Sequence, residues 1–256
     1  MKSAQNDDRL TVQIAKYNAS GNDFLITHSF VSSDRSLLAR RLCNRTSGVG
    51  ADGLIVLLPH EKYDFAWEFY NSDGSDAAMC GNGARAAALY AFENSLASAQ
   101  MQFLAGAGAI GATVSGEVVE TELSAHTVLD RAIVENGVGF WLIDTGVPHL
   151  VALADLAVFD ALPLGHLRRR YNANVNVATV QNGAIVVRTF ERGVEGETLA
   201  CGTGMAASFV RALEENLVQS PAKTYPKSGE ELTLSLVGDR LHFKGAVRKV
   251  FETTVA

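Results

Sequence analysis

The chain has 256 residues, 47% hydrophobic and 20% charged, which gives ample material for a core and argues against disorder. Asp and Glu number 28 against 22 Lys and Arg, a net charge of −6, so the basic footprint of a nucleic-acid or anionic-membrane partner is missing. No apolar run approaches the ~18 residues of a membrane span, and the polar N-terminal MKSAQNDDRL lacks the apolar stretch of a signal peptide; a cytoplasmic protein is expected.

In chain order, VQIAKY (12–17) and FLITHSF (24–30) read as strands, followed by a helix over Asp34–Asn44 with Ser33 as its N-cap. GLIVLL (53–58) and DFAWEFY (64–70) are β-rich and lead into a helix that starts after Cys80. ATVSGEVVETEL (112–123) and GFWLIDT (139–145) have β character, and Asp155–Asp160 and Leu164–Tyr171 carry helical signals. NVNVATV (174–180) and AIVVRTF (184–190) precede a second helix, which starts after Cys201, and ELTLSLVGDRLHF (231–243) closes the series. Arg168-Arg169-Arg170 reads as a solvated helix end.

Two of these segments are copies of one another. FYNSDGSDAAMCGNGARAAALYAFE from Phe69 aligns with FERGVEGETLACGTGMAASFVRALE from Phe190 at a constant displacement of 121 positions. Cys80 falls on Cys201, Gly81 on Gly202 and Gly83 on Gly204. Each copy reads strand, turn-rich loop, Cys-Gly-x-Gly, amphipathic helix; Met205, Phe209, Leu213 and Leu217 draw one stripe, and Leu89, Phe92 and Leu96 the other. The expected fold is therefore α+β: two similar lobes, each a curved, barrel-like sheet around a central Cys-led helix, with the active site in the cleft between them. The lobes are drawn at 1–130 and 131–256, with the last strand free to cross back to the first.

Glycine patterns elsewhere mean less. Gly48–Gly53 and Gly106–Gly111 run into β sequence and read as turns, so neither makes a dinucleotide site. Three cysteines without CxxC argue against a disulfide framework, and six histidines without HExxH give no metal motif. Cys43 lacks the glycine frame and reads as core.

A cysteine at a helix N-terminus has a defined chemistry. Free N–H groups and the positive end of the helix dipole stabilise a thiolate, and glycine-cleared N–H groups hold a carboxylate. Two such corners facing one α-carbon meet the requirement for inverting it: one thiolate removes the α-proton and the opposite thiol returns a proton to the other face. Asn22, Asn71, Asn82, Asn174, Glu191 and Arg192 flank glycines or strand ends where such a pocket needs polar groups, although each Asn alone also fits a turn. His149 reads equally as a loop histidine or a neighbour of a thiol.

At SGNDFLI (20–26), GVGADGLIVL (48–57), FYNSDGSDAAMCGNGAR (69–85), DTGVPHLV (144–151), NANVN (172–176), FERGVEGETLACGTGMAA (190–207) and KGAVRKV (244–250), the sequence resembles the diaminopimelate epimerases. These enzymes act without pyridoxal phosphate and interconvert LL- and meso-diaminopimelate on the lysine and peptidoglycan pathway. The resemblance implies no metal or organic cofactor, a diamino-dicarboxylate substrate, and Cys80 and Cys201 as the catalytic acid/base pair. It implies substrate contacts from Asn22, Asn71, Asn174, Glu191 and Arg192, with helix-start cradles at Gly81-Asn82 and Gly202-Thr203, and tuning of the thiols by His149 and Glu191. Val147 stands where many members carry Asn, and Gly53 where some carry Gln. A homodimer is left open.

The nearest rival reading is a racemase or epimerase of another amino acid, such as histidine or a proline derivative, on the same scaffold. A thiol hydrolase needs a single nucleophile with a dedicated histidine, whereas here the thiol motif is duplicated. A redox module would use Cys80 and Cys201 as a switch without a CxxC. A pyridoxal-phosphate racemase would need a Schiff-base lysine motif, which is not recognisable.

Overall fold

The computed structural model describes residues 11–123 and 125–255; the polar stretch MKSAQNDDRL read above lies outside them. The first half of the chain forms β1 (Val12–Ala19), β2 (Asn22–His28), α1 (Ser36–Cys43), β3 (Gly53–Leu58), β4 (Phe65–Asn71) and α2 (Gly81–Glu93). It continues through β5 (Gln100–Ala105), β6 (Gly108–Ser115) and β7 (Val118–Glu122). The second half forms β8 (Thr127–Glu135), β9 (Val138–Asp144), β10 (Pro148–Leu153), α3 (Val158–Ala161), α4 (Leu164–Tyr171), β11 (Asn174–Gln181) and β12 (Ala184–Glu191). After the short β13 (Gly196–Glu197) come α5 (Gly202–Glu214), β14 (Ala222–Tyr225), β15 (Leu232–Val237), β16 (Arg240–Ala246) and β17 (Arg248–Val255).

Backbone pairing runs β17-β1-β2-β3-β4-β5-β6-β7, crosses to β16, and continues β15-β14-β12-β11-β10-β9-β8. Counted outward from the β7–β16 junction, the two halves alternate in the same way: β4–β5 and β2–β3 are parallel in one, β12–β14 and β10–β11 in the other, and the remaining pairs of this series are antiparallel. The repeat in the sequence is thus a repeat of topology. The displacement of 121 also carries α2 onto α5 at both ends, 13 residues each. Both helices stop just before a residue at positive φ, Ser95 at 57° and Asn216 at 59°, the left-handed conformation that ends a helix by turning the chain out of it.

One helix occupies the concave side of each half. α2 is buried from Gly81 through Ala91, and its alanines let strands from β1 to β7 close around it; alanine costs nothing in helix propensity and leaves room for close approach. The period-2 pattern of the strands does the rest. Phe24, Ile26, Ile55 and Leu57 point at α2, while Leu25, Leu54 and Val56 point outward, beneath α1 with Ala39, Leu42 and Cys43. In the other half Met205, Phe209 and Val210 of α5 fill the inner core, and α3 and α4 cover the outer face over Phe140, Leu150, Val175 and Val177. Each large side chain buried in this way contributes about 1.5–3 kcal/mol. Cys43 is core, as read. No helix among the described residues is long and apolar enough to cross a membrane.

Three local readings are corrected. α1 begins at Ser36, and the side chain that meets its first turn is Asp34, whose Oδ1 accepts from Ser36 N at 2.9 Å; the Ser33 carbonyl instead accepts from the Tyr70 hydroxyl. The helix expected at Asp155–Asp160 shrinks to one turn, because Asp155 Oδ1 ties down Ala157 N and Pro163 follows closely. The apolar stripes outrun their helices at Leu96 and Leu217, and these two are exposed, as is Phe92 in the last turn of α2. The C-terminal strand β17 lies antiparallel to β1, with Val12 opposite Val255. Arg168 and Arg170 are paired with Glu195 and Glu135.

Candidate active site

Cys80 and Cys201 are the N-cap residues of α2 and α5, both in extended conformation. Cys80 Sγ accepts from Gly83 N at 3.4 Å, and Cys201 Sγ lies 3.6 Å from Thr203 Oγ1. The two helices touch, and their first residues rest on the same aromatic edge. A Cβ built on Gly81 would lie 3.5 Å from Phe243 Cδ1, and one built on Gly202 would lie 3.2 Å from Cε1 of that ring. A side chain at Gly202 would press on the ring, while one at Gly81 would be tight only against Leu123.

Burial raises both thiols. It pushes Cys80 up to about 11, with the Glu191 charge acting the same way, while the N–H groups of Gly83 and Asn82 and the Arg85 charge pull down. Cys201 is pushed up by burial and by Glu191, against the pull of Thr203. The helix-start donors expected to favour thiolate are thus present but outweighed by desolvation. Glu191 is itself pushed up by burial, opposed by the Thr198 hydroxyl at 2.9 Å and by the Cys201 thiol.

The polar residues form two groups. On the α2 side, Asn82 Nδ2 donates to Asn22 Oδ1 at 3.1 Å and Asn22 Nδ2 donates to Asp52 Oδ2 at 2.6 Å. Asp52 and Asp23 share Arg45, and Lys16 also pairs with Asp23; these two cations hold the Asp23 carboxyl down at about 2, against its burial. On the α5 side, Asn174 Oδ1 accepts from Arg192 N at 2.7 Å, and Asn174 Nδ2 lies 3.4 Å from His149 Nε2. Asn176, which the sequence reading passed over, places Nδ2 3.0 Å from His149 Nδ1, and its Oδ1 accepts from Thr189. A Cβ at Gly204 would fall 2.4 Å from that Oδ1, so only glycine lets α5 settle here. The NVN pattern at the start of β11 was the signal for Asn176, since alternate residues share a strand face.

Asn71 is not drawn into either group: it is exposed, and its amide donates to Ser75 Oγ at 3.0 Å. Arg192 Nη1 donates to the Asn172 carbonyl at 2.8 Å. Glu195 and Glu197, the carboxylates that follow it in sequence, pair with Arg168 and with Arg188 and Lys227. Gly53 has no room for a longer residue, because a Cβ there would sit 2.6 Å from Phe69 Cε2. No cluster of three or more His, Cys, Asp or Glu among the described residues is arranged to hold a metal. A groove of about 970 Å³ lined in part by His28, Arg35, Tyr90 and Glu252 contains none of the candidate site residues.

With this geometry in place, the chain was compared with known proteins. The family profile described as Diaminopimelate epimerase matches residues 14–126 and 141–250. The chain belongs to the diaminopimelate epimerase family. A diaminopimelate epimerase of Nitratiruptor sp. is 59% identical over 244 residues, covering 94% of this chain and 98% of that protein. One from Campylobacter jejuni is 51% identical, covering 93% and 96%. Among solved structures, a Bacillus anthracis phenazine biosynthesis protein of the PhzF family superposes with a TM-score of 0.75 at 14% identity, over 96% of this chain and 99% of that one. A probable proline racemase from Agrobacterium radiobacter also gives 0.75, at 15% identity, over 96% and 93%. At such identities these two show the α+β fold alone.

His149 in this family member is fully buried, and burial, aided by the Arg192 charge, lowers it to about 3 from 6.5. The unfolded chain takes up this proton near pH 6.5 while the folded chain refuses it, so stability falls as pH drops through the window between. From pH 6.5 to 4.5 the parent should lose roughly 2–3 kcal/mol more than His149→Asn, measured by urea unfolding. Parallel curves would mean that His149 carries its proton in the fold.

Proposed function

We propose that the chain interconverts LL- and meso-2,6-diaminopimelate by two-base proton transfer between Cys80 and Cys201. The observation that carries this reading is the meeting of two Cys-Gly-x-Gly helix starts on one edge of Phe243. One thiolate takes the α-proton and becomes a thiol, leaving an electron pair on the α-carbon. That pair spreads into the α-carboxylate, held by backbone N–H groups at Gly81-Asn82 or Gly202-Thr203. The opposite thiol gives its proton to the other face and becomes the thiolate, so the pair ends with its charge exchanged. Asn22, Asn71, Asn174, Glu191 and Arg192 are assigned to the substrate, with His149 and Glu191 also tuning the second corner.

The reading uses no metal or organic cofactor and places the enzyme in the cytoplasm, without nucleic-acid or membrane partners; the net charge of −6 is in keeping with the excluded partners. The division into two lobes, proposed at 1–130 and 131–256, is supported by the two half-sheets, although β8 (Thr127–Glu135) belongs wholly to the second and β17 joins the first. The deciding assay is solvent-deuterium incorporation at the α-carbon of LL- and meso-diaminopimelate, with and without pyridoxal phosphate. Incorporation independent of pyridoxal phosphate is expected. Dependence on it, or better turnover of histidine or a proline derivative, would overturn the assignment.

Two sulfurs that reach one carbon from opposite faces also lie close enough to join once the carbon is absent. Mild oxidation should therefore inactivate the enzyme reversibly and yield a Cys80–Cys201 peptide on mass mapping. Full activity after oxidation, with no such peptide, would argue against facing sulfurs.

A further inference from the structure

Arg85 carries a charge that the chemistry above does not use. It stands in GNGARAAALYA, a helix segment otherwise made mainly of glycine and alanine, and it is 0% exposed. The partners of its guanidinium are neutral. Nη1 donates to the Ala246 carbonyl at 3.1 Å, and Nη2 to Ser20 Oγ at 2.7 Å and Asn82 Oδ1 at 2.8 Å, while Nε has none. The group lies 4.5 Å over the Phe243 ring, on which both helix starts rest. The fold makes room for it: a Cβ at Gly245 would sit 2.4 Å from Nη1. That gives KGAVRKV, a motif without a role so far, a physical reason. A buried cation held by neutral groups is costly, and its hydrogen bond to Asn82, in the helix start that Cys80 caps, points to what the cost supports.

A guanidinium only donates, so Asn82 must turn Oδ1 toward it. Asn82 Nδ2 then faces Asn22 Oδ1, and Asn22 Nδ2 faces Asp52, which only accepts. Both amides are thereby fixed by a donor at one end of the chain and an acceptor at the other. The helix at the other corner carries no such cation: the residue displaced by 121 from Arg85 is Ala206. Cys80 is faced by Arg85 of its own helix, by Glu191 of β12 and by Cys201 of α5, and Arg85 also feels Glu230 ahead of β15.

We propose that Arg85 is the positioning residue of the Cys80 corner: its cation makes Cys80 the first of the two thiols to ionise, and its fork holds the Asn82 and Asn22 amides in one orientation. Two corners with the same backbone are thus made electrically unlike. Glu191 pushes up both thiols, and the Arg85 charge opposes it at Cys80 alone.

The inference rests on the two-thiol reading, but its test is separate, because it reads ionisation and not turnover. Alkylation by iodoacetamide would be followed against pH and quantified on the Cys80 and Cys201 peptides by mass spectrometry. In the parent, half-maximal alkylation of Cys80 should come at lower pH than that of Cys201. In Arg85→Gln the Cys80 midpoint should rise by about one unit, about tenfold less alkylation at a fixed lower pH, and Arg85→Lys should restore it. A Cys80 profile unchanged in Arg85→Gln, with only the unfolding midpoint lowered, would make Arg85 a structural clasp and overturn the proposal. Should Arg85→Gln not fold, the parent decides: Cys201 ionising first, or both together, overturns it.

Discussion

Replacing Cys80 or Cys201 by alanine should each reduce epimerisation by about 100- to 10,000-fold, the range a positioned acid or base supplies. Either loss alone is sufficient, because inversion needs a base on one face and an acid on the other. A remaining thiol can exchange the α-proton on its own side, so Cys80→Ala and Cys201→Ala should differ in which isomer still takes up deuterium. Cys43→Ala is the control. That thiol sits in the outer core beneath α1, and burial pushes it up to about 12. The variant should keep most of its activity while losing some stability. If either framed cysteine proves dispensable, the two-base mechanism is wrong.

Arg192→Lys should lower kcat/KM for diaminopimelate by roughly 10- to 150-fold, the equivalent of about 1.5–3 kcal/mol for a charge-assisted two-point contact. A helix start serves the α-carboxylate, which leaves the far carboxylate and ammonium to be matched by side chains. Arg192 offers a rigid, permanently charged fork that lysine cannot copy. Its guanidinium donates to the Asn172 carbonyl, and Glu195 and Glu197 are engaged elsewhere. Its backbone N–H is tied to Asn174, which faces His149, so the fork stands on a braced base. A loss below about threefold would reduce Arg192 to a clasp on the Asn172 carbonyl with no contact to the substrate.

The Cys-Gly-x-Gly repeat was legible because both of its physical demands, small residues at a crowded helix start and a thiol at the N-cap, are local in sequence. The displacement of 121 therefore located the starts of α2 and α5 to the residue. Phe243 and Gly245 were not legible: each acts through a contact with a segment distant in the chain, and in LHFKGA both read as ordinary strand residues. Arg85 did leave a signal, a single charge inside a helix of small residues, where a solvated arginine would have longer polar neighbours. Ser33 misled because the helix starts later than its apolar pattern suggests, so that Arg35 takes the N-cap position and Asp34 reaches the Ser36 N–H from one residue before it. Asn71 was grouped with the other asparagines by its place at a strand end, yet the turn that follows claims its amide for Ser75.

The pairing of β17 with β1 also bears on the order in which the protein is made. Synthesis delivers β1 through β7 first, then everything from β8 to β16, and only afterwards the strand that covers the open edge of β1. Until then the early half exposes a row of unpaired backbone groups, the template on which strands of other chains add. The late half, by contrast, receives β8 directly ahead of β9 and is complete as it emerges. A nascent chain of this design finishes its second half before its first, and a cut ahead of Arg248 would leave the earlier half permanently open at that edge.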